Sequence, residues 1–433
     1  MTATAPDPVA PDPGHGRAAR RGALALLDAV TGEAQTLSEA DGRIAQLAPP
    51  DRARALRLAR DTLRGLARAD ALLAPHLRRA PPRIVRNALR LGTTELARGA
   101  AAHGAVNDWV TIVGTLGRKA APARGMVNAV LRKMATEAPG RWDALPVPEL
   151  PAWLRDPLLD AWGADAVAAM EAAHLAGAPL DLTARGDPRD LAARLAAELL
   201  PTGSVRVSGN TRVSAVPGYA EGDWWIQDAA AALPVRLLAP RPGERVLDLC
   251  AAPGGKALQL AAAGAEVTAV DMSPERLARV ASNLARTGLS ATLCAEDARA
   301  HAGGPYDAVL VDAPCSATGT IRRHPDLPHV RDGSGIDALV ALQAEMLDHA
   351  LTRLAPGGRL VFCTCSLLPE EGEGQVTAAL ARHPGLVADR AALDRPGLDP
   401  AWRSAEGGLR LRPDYWAASG GMDGFYMAVL RRA

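Results

Sequence analysis

From Arg241 onward, short apolar runs alternate with helical stretches, and few folds accept that alternation. Candidate strands fall at residues 245–249, 266–270, 291–294, 308–311 and 359–363, with a late one at 424–430 expected to join at an edge. The first two leave room for one helix between them. After the second, Ser273 can cap a helix that starts at Pro274, lines one face with Leu277, Val280 and Leu284, and stops at Gly288. Such strand–helix–strand units build a mostly parallel sheet covered by helices on both faces, here an α/β Rossmann-like domain expected over residues 224–433. Ligands of these sheets gather at the carboxyl ends of the strands, so the residues just after each run are where chemistry should be sought.

The first strand runs into Asp248-Leu249-Cys250-Ala251-Ala252-Pro253-Gly254-Gly255-Lys256. This is not a Gly-x-Gly-x-x-Gly loop, but small residues and a glycine pair let a ligand approach the backbone, and the helix that follows offers free N–H groups. Asp271 follows the second strand, where a carboxylate can accept both ribose hydroxyls; Arg276, in the next helix, is counted with the cofactor residues. Asp297 follows the third strand, placed to meet an adenine amino group. Nothing resembles a phosphate-binding Walker loop, which favours a nucleoside cofactor without phosphates, and S-adenosylmethionine fits. Lysine occurs only at Lys119, Lys133 and Lys256, so a lysine inside the glycine turn departs from the chain's habit of using arginine. A compact ammonium near Asp312 is the expectation.

The fourth strand ends in Asp312-Ala313-Pro314-Cys315, and the fifth is closed by Thr364-Cys365-Ser366. If the strand order is 3-2-1-4-5, these two strands are neighbours about 5 Å apart and both thiols face one pocket. Methylating a pyrimidine at C5 needs such a thiol, because that carbon is unreactive until a thiolate adds to C6. Asp312, if it holds or shares a proton, can hydrogen-bond N3 and steady the adduct; it is also counted among the cofactor contacts. A methyltransferase acting on an exocyclic amine would be expected to carry Asn-Pro-Pro-Tyr or Asp-Pro-Pro-Tyr here. The catalytic set is therefore Cys365, Cys315, Asp312 and Lys256. Cys294 and Cys363 lie inside strands and read as small buried hydrophobes. Five cysteines, with no Cys-x-x-Cys pair and no histidine at zinc spacing, argue against a disulfide framework and against a metal site.

The front of the chain reads differently. Residues 17–133 hold 21 lysines and arginines against 9 acids, a surplus of 12 in a chain whose net charge is +1. A basic module joined to a mildly acidic one suits an enzyme that docks on a polyanion. Leu56, Ala59, Leu63 and Leu66 recur at helical spacing among arginines, and residues 17–140 are expected to be all helical. Residues 141–223, broken by prolines, read as a linker and a small α/β platform, with short strands within 204–216. Trp142, Trp153 and Trp162 are expected to pack where this segment meets its neighbours. Trp224-Trp225 could stack on bases, though core packing is the favoured reading. Residues 1–16, rich in Pro, Ala and Asp without an apolar signal core, read as a disordered leader, and with no apolar run long enough for a bilayer the expected location is the cytoplasm.

The segments Ala105-Val106-Asn107-Asp108-Trp109-Val110 and Arg124-Gly125-Met126-Val127-Asn128-Ala129-Val130-Leu131-Arg132-Lys133 resemble the closing helices of the NusB-type RNA-binding fold. The motifs 248–256, Asp271, Asp297, 312–315 and 364–366 resemble the RNA (cytosine-5) methyltransferase family. That likeness implies that the thiol of the Thr-Cys motif, Cys365, attacks C6 and that the thiol of the Pro-Cys motif, Cys315, promotes release. DNA cytosine methyltransferases attack with the Pro-Cys thiol, so the reverse assignment stays open. Joined to the NusB-like front, the chain is similar to bacterial methyltransferases of 16S ribosomal RNA, which implies 16S rRNA or a small-subunit assembly intermediate as partner and a monomeric protein. Two other readings stay in play: an RNA-binding assembly factor with an inactive methyltransferase half, and an enzyme acting on tRNA.

Overall fold

The computed structural model describes residues 13–208 and 213–432. The expected disordered leader lies outside them as far as residue 12, and its last residues, from Pro13, open the first helix. The chain divides into two compact units, one of residues up to 152 together with 324–332, the other of residues 153–323 and 333–433.

The first unit is helical: α1 (Pro13–Glu33), α2 (Pro49–Arg64), α3 (Leu66–Leu73), α4 (Arg83–Ala97), α5 (Ala102–Gly114) and α6 (Arg124–Arg141). Leu27, Ile44, Leu72, Leu89, Leu91, Trp109 and Leu131 form its core. Not all of its basic charge faces water. Arg20 on α1 donates to Glu95 on α4 at 2.8 Å and to Asp108 on α5 at 2.6 Å, and the Trp109 indole N–H reaches the same Glu95 at 3.1 Å. A buried ion pair with additional hydrogen bonds fixes helix register more than it adds stability. Trp142, expected at a junction, is buried in this core against Gly65.

The second unit opens with α7 (Ala152–Trp162) and α8 (Ala164–Ala176), helices the prolines had concealed, since Pro157 sits within α7. A small antiparallel sheet follows, of β1 (Leu180–Ala184), β2 (Glu198–Leu199), β3 (Val205–Val207) and β4 (Trp224–Ile226) in the order β2-β3-β1-β4, with α9 (Pro188–Leu195) beside it. Of the strands expected within 204–216, only β3 forms, and residues 209–212 lie outside the described residues. The Trp pair belongs to this sheet through β4. Trp224 is 0% and Trp225 3% exposed, so neither offers a face to a base.

The larger sheet contains β5 (Arg245–Leu249), β6 (Glu266–Asp271), β7 (Thr292–Ala295), β8 (Tyr306–Asp312), β9 (Leu354–Thr364), β10 (Leu386–Ala388), β11 (Leu409–Leu411) and β12 (Phe425–Arg432). Helices α10 (Ala229–Leu238), α11 (Gly255–Ala262), α12 (Pro274–Thr287), α14 (Ile336–Thr352) and α15 (Glu373–Arg382) connect it; the single turn α13 (Leu327–Val330) belongs to the first unit. Five parallel strands run β7-β6-β5-β8-β9, the expected 3-2-1-4-5 order. The late strand β12 is not at an edge: it pairs antiparallel with β9 on one side, while β10 and β11 pair along it elsewhere. Three-residue strands carry too little pattern to be read in advance, and the run Phe425–Leu430, buried throughout, is what a covered strand requires.

Asp228 ties this sheet to the loop that follows β8. It caps α10 through the Ala230 N–H at 2.9 Å, accepts from Arg322 at 2.5 Å and from the Asp423 N–H at 3.0 Å, while Arg322 also donates to Asp423 at 3.1 Å. Arg322 and Asp423 are fully buried. Removing one partner of a buried charge pair strands the other. Asp228→Ala should therefore lower unfolding free energy by about 3–5 kcal/mol in urea titrations; a loss below about 1 kcal/mol would show that the network is not held by this carboxylate.

Candidate active site

The parallel register of β8 with β9 sets Asp312 beside Cys363, and the Ala313 N–H continues the ladder to the Cys363 carbonyl at 3.0 Å. Cys315 and Cys365 therefore leave adjacent strands side by side, with their sulfurs 3.5 Å apart. A turn centred on Gly319 fixes the spacing. Its N–H donates to the Cys365 carbonyl at 2.9 Å, and its own carbonyl accepts from the Gly424 N–H at 2.8 Å. A Cβ at Gly319 would lie 2.0 Å from the Gly424 oxygen, so only glycine fits. The Trp162 indole N–H reaches the Leu367 carbonyl at 3.4 Å, bracing the chain just past Cys365.

Lys256 and Asp312 meet beside these thiols. Lys256 Nζ donates to Asp312 Oδ2 at 2.7 Å and stands 5.2 Å above the Phe425 ring. Burial works against the ammonium, but the attraction of Asp312 outweighs it and holds the lysine protonated. The other oxygen, Oδ1, accepts from Cys363 Sγ at 3.5 Å. Burial and the charge of Asp312 push that thiol well above its ordinary range. Cys363, read from sequence as a small hydrophobe, thus also touches the carboxylate at the centre of the site. Cys250 is pushed up to about 12 by burial together with Asp312, Asp271 and Asp248, which makes it inert as a nucleophile.

The expected cofactor residues converge at the ends of β5 and β6. Asp271 accepts from the Ala252 N–H at 3.2 Å and the Ser273 N–H at 3.0 Å. Arg276 braces the turn, donating to the Ala252 carbonyl at 2.6 Å and standing 3.5 Å from Asp271. Gly254, at φ +106, turns the chain into α11 with Val280 close by, leaving Gly255 and Lys256 as the first helical residues. Asp297 stands at the end of β7, but its carboxylate is bound by Arg299 at 2.7 Å and is held at about 2 by that side chain and its N–H.

One residue left out of the expected set is Asp248. It is fully buried, and neither oxygen has a hydrogen-bond partner among the described residues. Burial first, then the charges of Asp312 and Asp271 against the opposing Lys256, push its carboxyl up to about 8. An unpartnered buried carboxylate costs free energy that a cationic ligand would recover. Asp248 and Asp271, at the ends of β5 and β6, are the acidic groups that would answer the positive sulfonium and ammonium of S-adenosylmethionine. An aspartate inside an otherwise apolar strand is the signal by which the sequence could have marked it.

The comparisons with known proteins agree with this geometry. Residues 235–431 match the family model described as 16S rRNA methyltransferase RsmB/F, and residues 17–136 match the NusB family model. The protein named ribosomal RNA small subunit methyltransferase B of Pseudomonas syringae pv. tomato is 36% identical, with 94% of this chain and 95% of that one aligned. Its namesake in Pseudomonas putida is 37% identical over 94% and 97%. The namesake in Salmonella arizonae is 47% identical over 201 residues, where the chain spans about half of that relative's length, 47%. Among solved structures, PH0851 superposes with a TM-score of 0.72 at 22% identity, covering 95% of this chain and 98% of that one, which speaks to fold. A methyltransferase homologue from Pyrococcus horikoshii gives 0.54 at 27% identity over 64% and 94%. No helix among the described residues is long and apolar enough to cross a membrane.

Asp248 makes stability depend on pH in a definite direction. Its folded value, about 8, lies above the ordinary 3.8, so the folded state keeps a proton that the unfolded chain loses, and stability drains away as pH rises from about 4 to about 8. Asp248→Asn cannot titrate. In the ligand-free protein its stability relative to the unmodified chain should improve by about 1.4 kcal/mol per pH unit between pH 5 and 8. Parallel denaturation profiles for the two proteins would contradict this.

Proposed function

We propose, from the premise that this chain belongs to the RsmB/F family of 16S rRNA methyltransferases, that it methylates C5 of a specific cytosine in small-subunit ribosomal RNA. The observation that carries the reading is the pair of thiols 3.5 Å apart at the ends of two neighbouring strands, beside a lysine–aspartate pair at 2.7 Å. Nitrogen methylation needs no thiol; attack on C6 needs one, and its reversal gives a second something to do.

In this reading Cys365 adds as thiolate to C6, which makes C5 electron-rich. Lys256 and Asp312 would hold the N3 edge of the ring. Because Lys256 already donates to Asp312, the pair can present a proton to N3 without the carboxyl itself having to be neutral. The turn from Ala251 to Gly255, with Asp271, Arg276 and Asp248, would hold S-adenosylmethionine, which when bound supplies an electrophilic methyl group. Once C5 carries the methyl group its proton passes to solvent, the C5–C6 double bond re-forms and Cys365 leaves as a thiolate; Cys315, in contact with that sulfur, would donate a proton to it and so promote the release. Asp297 reaches an adenine amino group only by giving up part of its contact with Arg299.

The helical unit, with its arginine surplus and its match to the NusB family, would supply phosphate contacts to rRNA or to an assembly intermediate. The target base must be single-stranded or turned out of its stack to enter. The protein would act in the cytoplasm as a monomer.

Incubating unmodified 16S rRNA, tRNA and DNA in turn with methyl-labelled S-adenosylmethionine tests the substrate class. Label should enter 16S rRNA alone. Cofactor binding with no transfer to any of the three would mean an RNA-binding assembly factor instead. Cys365→Ala should abolish transfer, with a loss of at least about 10³-fold, and Cys315→Ala should accumulate a protein–RNA adduct that survives denaturing electrophoresis. Accumulation in Cys365→Ala instead would reverse the two roles.

A further inference from the structure

Two thiols in contact cannot both be thiolates at moderate cost, so something must decide which sulfur ionises. The loops that carry them are joined by Glu371, in the turn after β9. It is fully buried. Its Oε1 accepts from the Ser316 N–H at 2.9 Å and from the Gln343 amide at 3.0 Å, its Oε2 accepts from the Ser316 hydroxyl, and its carbonyl accepts from the Thr364 hydroxyl at 2.9 Å. Ser316 adjoins Cys315, and its hydroxyl also contacts Ser366, beside Cys365, at 3.2 Å. These side-chain partners are all neutral. The arginine of this region, Arg410, pairs with Glu373 instead, through Nε at 2.9 Å. A buried negative charge thus stands behind the Cys315 loop.

We infer that the Glu371 carboxyl, bound to the Ser316 N–H behind the Cys315 loop, makes the thiol pair unequal, keeping the remaining proton of the singly deprotonated pair on Cys315 and leaving the charge to Cys365. Glu371 is a positioning residue that acts through the sulfur of Cys315. The groups facing Cys315 agree with the assignment: the Cys365 sulfur, burial and Glu371 all push its thiol up, and only the Ala317 N–H opposes them. The division of labour between attacking and releasing thiol would then be built into the folded protein before RNA arrives. The use of this asymmetry rests on the proposed reaction, but its existence does not.

The test is alkylation of the free full-length protein by iodoacetamide from pH 6 to 10, without RNA or cofactor, with each cysteine followed by peptide mass spectrometry. Cys365 should react well ahead of Cys315 at pH 7.5. Glu371→Gln preserves shape and can keep the contacts to the Ser316 N–H and Gln343 while removing charge. It should move the Cys315 profile down by about one pH unit, about tenfold faster at pH 7.5. Ser316→Ala, which removes a hydrogen bond but no charge, should leave that profile in place. A folded Glu371→Gln protein with an unmoved Cys315 profile, or a Ser316→Ala protein that shifts it equally, would overturn the inference. Glu371→Asp, which keeps the charge, does not require Glu371→Gln to fold: it should leave Cys315 slower than Cys365, and equal rates for the two thiols in that folded variant would overturn the inference. Because no RNA is present, failure to methylate rRNA with thiol selectivity intact would sink the substrate reading and not this one.

Discussion

The pairing of β8 with β9 is the constraint on which the site depends. Parallel strands hold their carboxyl ends together, and with Asp312 opposite Cys363 the next residues of each chain must share one small space. The ladder extends past the strands through Ala313, the Gly319 turn locks the first loop to the second, and Glu371 closes the gap from behind. A one-residue slip would turn Asp312 away from Lys256 and carry Cys315 away from Cys365. The buried Asp228–Arg322–Asp423 network holds the far end of the same loop, so the thiols are anchored on both sides.

Much of this was legible in the sequence because it follows from period and order. The alternation of strands and helices gives the 3-2-1-4-5 sheet, and that order alone makes Cys315 and Cys365 neighbours although 50 residues separate them. Ser273, Pro274 and Gly288 bound α12 as their chemistry requires. What stayed hidden depends on contacts that no local pattern encodes. β10 and β11 are too short to show alternation, so β12 read as an edge when it is covered. Pro157 disguised a helix, since a proline inside a helix removes one of its hydrogen bonds and reads as a break, yet α7 continues through it. The tryptophan pair carried two readings until β4 placed both rings in the core.

The site residues divide the same way. Lys256 stood out as an exception in composition, and the structure sets it on Asp312. Asp248 and Glu371 did not stand out, because burial and the partners a carboxyl finds or lacks are set by tertiary contacts that no local pattern encodes. Neither accepts a hydrogen bond from a cationic side chain among the described residues, which sets both apart from the ion pairs found elsewhere in the unit. Cys294 and Cys363 were read alike, yet only Cys363 touches Asp312, a difference set by strand order: Cys363 lies on β9 beside β8, whereas Cys294 lies on β7 at the far side of the parallel strands.

The claim at the centre of this account is that the methyl group goes to C5, where methylation expels a carbon-bound proton. Small-subunit rRNA carrying tritium at C5 of its cytosines, incubated with the protein and methyl-labelled S-adenosylmethionine, measures both events together. The account predicts one tritium released to water for each methyl group gained. Methyl incorporation without tritium release would place the transfer on nitrogen or ribose and contradict it.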